Sequence, residues 1–196
     1  MTSSVAPPTP TPIVIVSGPP ASGKTHVADV LADRLALPLI AKDSIKEVLY
    51  DSLGTGDVAW SQRLGRVALA LLYQALEAQL RAGRPVIVEA NFAAEHARPV
   101  LRDLQGRCPF APLEIHCTAR DGVLIERYTA RTGRRHAGHL DDLRVEEIAT
   151  AIAERRNAPL ALAAQLMVLD TTQLESVDLE PIVETAREHV RRHGRN

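Results

Sequence analysis

Aromatic side chains are scarce: Phe, Trp and Tyr together make up 3% of the 196 residues. A surface that binds single-stranded nucleic acid by base stacking needs more of them. An excess of one charge is also missing. The formal net charge is -1, which disfavours a generic nucleic-acid binder. The 2 cysteines, Cys108 and Cys117, are too few for a disulfide framework and lack the spacing of a zinc site. No apolar run approaches membrane-spanning length. The Ser/Thr/Pro-rich stretch Met1–Pro12 has neither the basic nor the apolar region of a secretory signal. A reduced, cytoplasmic protein without a membrane partner is expected, with residues 1–12 disordered and residues 13–196 forming one domain. Lysine is nearly absent too: of 23 basic residues only Lys24, Lys42 and Lys46 are lysines.

What is present is concentrated near the start. Ile13 to Val16 are four consecutive β-branched residues, and they run into Ser17-Gly18-Pro19-Pro20-Ala21-Ser22-Gly23-Lys24-Thr25. This is G-x-x-x-x-G-K-[ST], with a strand before it and a helical pattern after it. Gly18 and Gly23 permit a backbone path that a Cβ would obstruct, so successive N–H groups of Gly18 to Thr25 point at an anion. The helix opening after Gly23 adds its unpaired N–H groups. Lys24 reaches the β- and γ-phosphates, and the Thr25 hydroxyl ligates Mg²⁺.

Hydrophobic periodicity then places the other elements. Helices are expected over Lys24–Ala36, Ile45–Leu53 (capped by Asp43-Ser44), Asp57 or Ser61 to Ala82, Phe92–Gln105 with a bend or restart near Pro99, Asp121–Thr132, Asp141–Asn157, and a terminal helix with Pro181 in its first turn. Strands are expected at Leu37–Ala41, Pro85–Glu89, Pro112–Cys117 and Leu166–Asp170. This alternation predicts an α/β fold with a mostly parallel sheet and helices on both faces. In such a sheet, ligands gather at the carboxyl ends of the strands.

Several residues fall at those ends. Asp43 can accept a hydroxyl proton or hold a metal-bound water, and it can also cap a helix. Glu89 resembles a Walker-B acid, or it is a strand-end carboxylate bonded to backbone. Asn91 contacts substrate or phosphate, or caps the next helix. Thr171, within Asp170-Thr171-Thr172, borders the adenine or makes a turn. Arg127 and Arg131 share a helix face next to Arg134 and Arg135. They form either an anion-gripping lid or a solvated basic helix paired with Glu126, Asp121 and Asp141. His136 and His139 have no partners at metal-ligand spacing, and are read as shaping the lid.

Taken together, the loop, Asp43, Glu89-Ala90-Asn91 and the Arg-x-x-x-Arg lid resemble the small P-loop kinases related to chloramphenicol phosphotransferase, the zeta toxins and the kinase domain of polynucleotide kinase. The resemblance covers about Ile13 to Thr172. It implies a three-layer P-loop NTPase fold with five strands in the order 2-3-1-4-5 and a helical lid at about residues 120–142. It also implies ATP with Mg²⁺ at Thr25 and Glu89, Asp43 as the base toward an acceptor hydroxyl, and Arg127 and Arg131 as lid arginines. Asn91 and Arg135 are assigned to the substrate side. Glu89 is a departure, since many relatives carry Asp there. The expected activity is transfer of the γ-phosphate to a hydroxyl of a small molecule, by a monomer or homodimer, with the acceptor pocket between Ile45 and Leu72. The alternatives are a polynucleotide 5′-hydroxyl kinase and a nucleotide-binding ATPase switch without a small-molecule acceptor.

Overall fold

The computed structural model describes residues 10–162 and 165–194. Most of the expected disordered lead-in therefore lies outside the described residues, but Thr11 and Pro12 already belong to the first strand.

Five strands form the sheet: β1 (Thr11–Ser17), β2 (Leu39–Ala41), β3 (Val86–Glu89), β4 (Phe110–Thr118) and β5 (Gln165–Asp170). All described pairings are parallel, and the order is β2-β3-β1-β4-β5. The unbroken β-branched run of β1 is what a central strand with helices on both faces requires, and every residue of β1 is buried. Ile13, Ile15, Val86 and Val88 pack with α3 (Val58–Arg81) and α4 (Ala94–Arg107). Val14, Val16, Ile87 and Ile115 pack with α1 (Lys24–Leu35) and α7 (Glu180–His193). The register sets Val16 opposite Glu89 and Ser17 opposite His116, so the strand ends that carry chemistry are level.

The other helices are α2 (Lys42–Leu53), α5 (Asp121–Ala130) and α6 (Val145–Ala153). Leu124 and Tyr128 of α5 form a small separate cluster with Ile148 and Ile152 of α6. The α5–α6 pair therefore has a core of its own, which extends past the residues 120–142 expected for a lid. Three sequence expectations change in detail. Asp43 is not a cap: α2 starts at Lys42, directly after β2, and its N-cap is Ala41. The helix expected from Asp141 opens as a 3-10 turn over Asp141–Arg144, after Leu140 in a left-handed conformation with φ 52°, and becomes α-helical only at Val145. Pro99 sits within a continuous α4; it removes one backbone bond without ending the helix. No described helix is long and apolar enough to cross a membrane.

Candidate active site

The turn between β1 and α1 has the conformation its glycines permit. Gly18 has φ 138° and Gly23 has φ 75°. A Cβ on Gly18 would overlap the Cys117 carbonyl of β4, and one on Gly23 would lie 2.9 Å from Leu174 Cδ2. The glycines thus let the loop press against β4 at Gly18 and against the 3-10 turn of Leu174 at Gly23. α1 begins at Lys24 with no side-chain cap, which leaves its first-turn N–H groups free for an anion. Lys24 is buried, and its Nζ lies 3.4 Å from the Pro19 carbonyl and 3.8 Å from Glu89 Oε1. An ammonium carries three donors, so this one is under-used. Burial lowers its pKa against the opposing pull of Glu89 and Asp43, while burial raises that of Glu89 against Lys24. A cavity of about 400 Å³ lies over the loop, with Ala21, Gly23, Lys24 and Thr25 on the cradle and Arg127 and Arg131 from the lid. An uncapped helix start beside an under-satisfied lysine fits a polyphosphate. Thr25 and Glu89 also line this cavity and would hold Mg²⁺.

A larger cavity of about 620 Å³ adjoins it. Lys24, Asp43, Arg131 and Arg135 line both. Asp43 Oδ2 accepts from Arg135 at 2.8 Å, and Oδ1 accepts from Lys42 at 3.2 Å. Burial alone would raise the Asp43 pKa, but Lys42, Arg135 and Lys24 outweigh it and hold the carboxyl well below the usual range. Lys42 also donates to Asn91 Oδ1 at 3.3 Å. Asn91 therefore faces this cavity, and the N-cap of α4 is Ala93.

The arginines are placed by named contacts. Arg127 donates to the carbonyls of Thr171 (2.9 Å) and Thr172 (3.1 Å). Arg131 pairs with Asp141 at 3.0 Å and lies over the Tyr128 ring at 4.4 Å. Arg131 is thus ion-paired with Asp141 and also lines both cavities. His136 stacks on Tyr50 of α2 at 5.0 Å, and His139 meets the same ring edge-on while contacting Glu47 at 2.9 Å. The segment that carries these histidines is thereby docked on α2, which also carries Asp43.

A family profile described as an AAA domain matches residues 13–158. A solved structure from Chloroflexus aurantiacus, provisionally named a kinase, is 38% identical, with TM-score 0.84, over 93% of this chain and 99% of that one. The chain belongs to this AAA-domain family of small P-loop kinases. Cytidylate kinase of Ignicoccus hospitalis is 29% identical over 177 residues, 89% of this chain and 90% of its own length. A sugar kinase from Janibacter sp. HTCC2649, at 21% identity, shares the fold with TM-score 0.56 over 94% of each chain.

In this kinase one predicted site residue is misplaced. The Thr171 side chain is fully buried and donates to the carbonyls of Ser22 (2.8 Å) and Thr118 (2.9 Å). It braces the phosphate loop from behind, its hydroxyl turned to backbone carbonyls. The neighbouring side chains Arg120, Thr172 and Gln173 line a separate cavity at the end of β5.

Two site residues were missed. Lys42 bridges Asp43 and Asn91. Lys46 is 3% exposed, donates to Ser61 Oγ at 3.0 Å and lines the larger cavity. Burial first, then the nearby charges of Lys42 and Arg144, lower the Lys46 pKa to about 8. The folded value is below the unfolded one of about 10.4, so the penalty for holding this cation is complete below about pH 8 and vanishes as pH rises from there to the unfolded value. Lys46→Met is expected to raise Tm at pH 7 by on the order of 2–4 °C, which corresponds to about 1 kcal/mol. The gap to wild type should close between about pH 8 and pH 10. Thermal melts across that range check it; a gap that widens with pH contradicts the assignment.

Proposed function

We propose that this kinase moves the γ-phosphoryl group of ATP to a hydroxyl of a small molecule. The observation that carries the reading is that Asp43 stands on the wall shared by the cradle cavity and the larger one. A hydroxyl acceptor sheds a proton as it is phosphorylated, and a carboxylate at the junction can receive it. A phosphate acceptor, as the name of the Ignicoccus relative suggests, sheds none and would be repelled by that carboxylate.

The roles divide along the same wall. Lys24 and the Gly18–Thr25 backbone hold the β- and γ-phosphates. Thr25 and Glu89 would hold Mg²⁺, which would neutralise charge on the phosphate oxygens. Arg127 fixes the nucleotide side of the lid. Arg131 and Arg135, at the border of both cavities, stabilise the charge on the group in transit. Lys42, Asn91 and Asp43 face the acceptor. The two free buried thiols, Cys108 and Cys117, agree with a reducing, cytoplasmic setting.

Incubation with γ-labelled ATP and a panel of sugars, hydroxy acids, nucleosides, nucleoside monophosphates and short oligonucleotides tests this. Acceptor-dependent transfer of label to a hydroxyl is the expected result. Transfer only to a monophosphate's phosphate, only to oligonucleotide ends, or ATP hydrolysis indifferent to every acceptor overturns it. Arg131→Gln is expected to lower kcat by about a hundredfold, the scale for one charge-stabilising donor, with a smaller change in KM for ATP. Steady-state kinetics check it; an effect confined to KM would make Arg131 a binding group only.

A further inference from the structure

The cations of the larger cavity are not all answered by carboxylates. Lys42 and Arg135 share Asp43, Arg131 has Asp141, and Arg144 is held by Glu147 through two bonds of 2.9 and 2.8 Å. Lys46 and Arg66 line the same cavity, and among the described residues neither has a carboxylate in ion-pair range. Lys46 is the buried member of the two. One of its three donors goes to Ser61 Oγ, which also meets the Tyr50 hydroxyl at 2.7 Å. The ammonium lies 5.2 Å from the centre of the Tyr50 ring. Two donors remain for the cavity.

The surrounding residues keep that ammonium within reach. Ser61 and Gly65 are one turn apart on α3, so they share a face. A Cβ on Gly65 would lie 3.7 Å from Lys46 Cε and Nζ; glycine leaves that space open. Gln62 and Arg66 continue the wall toward the exposed rim. A buried, unpaired cation is costly, and an apolar side chain would fill the same place without that cost. A ligand of opposite charge supplies the missing partner.

We infer that the acceptor is an anion: a small hydroxyl compound whose carboxylate or phosphate group is held by Lys46 and Ser61, with Arg66 at the rim. Asp43 and Lys46 are three residues apart on α2, hence about 5–6 Å apart at Cβ. A skeleton of a few carbons spans from the hydroxyl that Asp43 receives to the anionic group at Lys46. Tyr73 and Phe92, stacked at 6.4 Å, offer an apolar wall to that skeleton. This inference rests on the phosphotransfer reading above.

The test is calorimetric. Malonate and inorganic phosphate are titrated into the full chain saturated with Mg²⁺ and a non-hydrolysable ATP analogue, which occupies the cradle and keeps phosphate from binding there. Wild type is expected to bind one equivalent of at least one of the two anions. Lys46→Met should weaken that binding by at least about tenfold, the scale of a lost charge-assisted hydrogen bond. Arg66→Gln, at an exposed position that does not threaten folding, should weaken it by a smaller factor of about two to five. No anion binding to wild type, or equal binding to wild type and both variants, overturns the inference and leaves phosphotransfer standing. Failure of the ATP analogue to bind defeats the phosphotransfer reading itself, and this inference with it. Whether malonate or phosphate binds more tightly separates a hydroxyl acceptor that carries a carboxylate from one that carries a phosphate group. Matched pairs in the label-transfer assay (glycerate against glycerol, gluconate against sorbitol, glycerol 3-phosphate against glycerol) give the kinetic counterpart. Preference for a neutral member overturns the inference as well.

Discussion

Asp43→Asn is expected to lower kcat by about a thousandfold, within the range for a lost general base, while nucleotide affinity holds or tightens slightly. Asparagine keeps the shape of the side chain and removes its charge. The acceptor hydroxyl then has no anionic oxygen to orient it or take its proton. The carboxylate is a weak base in the resting site, since Lys42 and Arg135 hold its pKa well below the ordinary range. In a loose phosphoryl-transfer transition state the proton leaves late, so position counts for more than basicity. The same depression has a consequence for pH. A carboxylate with a lowered folded pKa contributes stability above its unfolded value of about 3.9, and that contribution is lost as pH falls below it. Asp43 should therefore stay ionised through the neutral range and give no acid limb to the kcat profile there. Its negative charge borders the phosphate cavity, and removing it lessens the repulsion a nucleotide's phosphates meet there. Steady-state kinetics alongside calorimetric nucleotide titration decide the matter. A variant with wild-type kcat removes Asp43 from the chemistry, and a variant that no longer binds nucleotide makes its role structural.

What could be read in the sequence was what local pattern determines. The cradle is written in thirteen consecutive letters from Ile13 to Thr25, because strand propensity, glycine placement and the helix start are all local. The layered α/β architecture followed from alternating periods, and the strand order from the resemblance. What depended on distant partners was not legible. Nothing near Thr171 shows that its hydroxyl ends on Ser22, 149 residues away. Asp43-Ser44 looks like a cap because capping is read from composition, yet the helix begins at Lys42 without any linker after β2. Lys46 did leave a signal. A chain that writes nearly all its cations as arginine keeps lysine at three positions, and all three line one cavity. An ammonium's compact charge, and its readiness to shift pKa when buried, distinguish it from guanidinium at such positions. Lys42, Asp43 and Lys46 also fall within one helical turn, and that spacing was available from the letters alone.

Lys24→Met is expected to reduce kcat/KM by about a thousandfold, the upper range for losing one donor to a developing oxyanion, and to weaken nucleotide binding as well. The two effects come from one atom, because the ammonium that meets the bound phosphates also meets the charge that develops in transfer. The variant has a second signature in stability. Glu89 is buried beside Lys24, and burial already pushes its pKa up. Without the lysine, the carboxyl loses the charge that opposes this push, and its folded pKa climbs further above the unfolded value of about 4.3. A raised carboxyl makes the folded state bind more protons than the unfolded one, so stability falls as pH rises through that interval. Lys24→Met should therefore melt progressively lower than wild type as pH rises above about 4.3, and Lys24→Met/Glu89→Gln should recover the melting temperature while transferring less than Glu89→Gln alone, the control for the lost Mg²⁺ ligand. Recovery of the melting temperature together with transfer equal to that of Glu89→Gln would show that Lys24 serves only to neutralise Glu89. Recovery of neither would mean that the lysine stem supports the loop by packing, with the pair's charge balance secondary. The double variant thus separates the ammonium that faces phosphate from the ammonium that faces Glu89, two roles that a single substitution at Lys24 removes together.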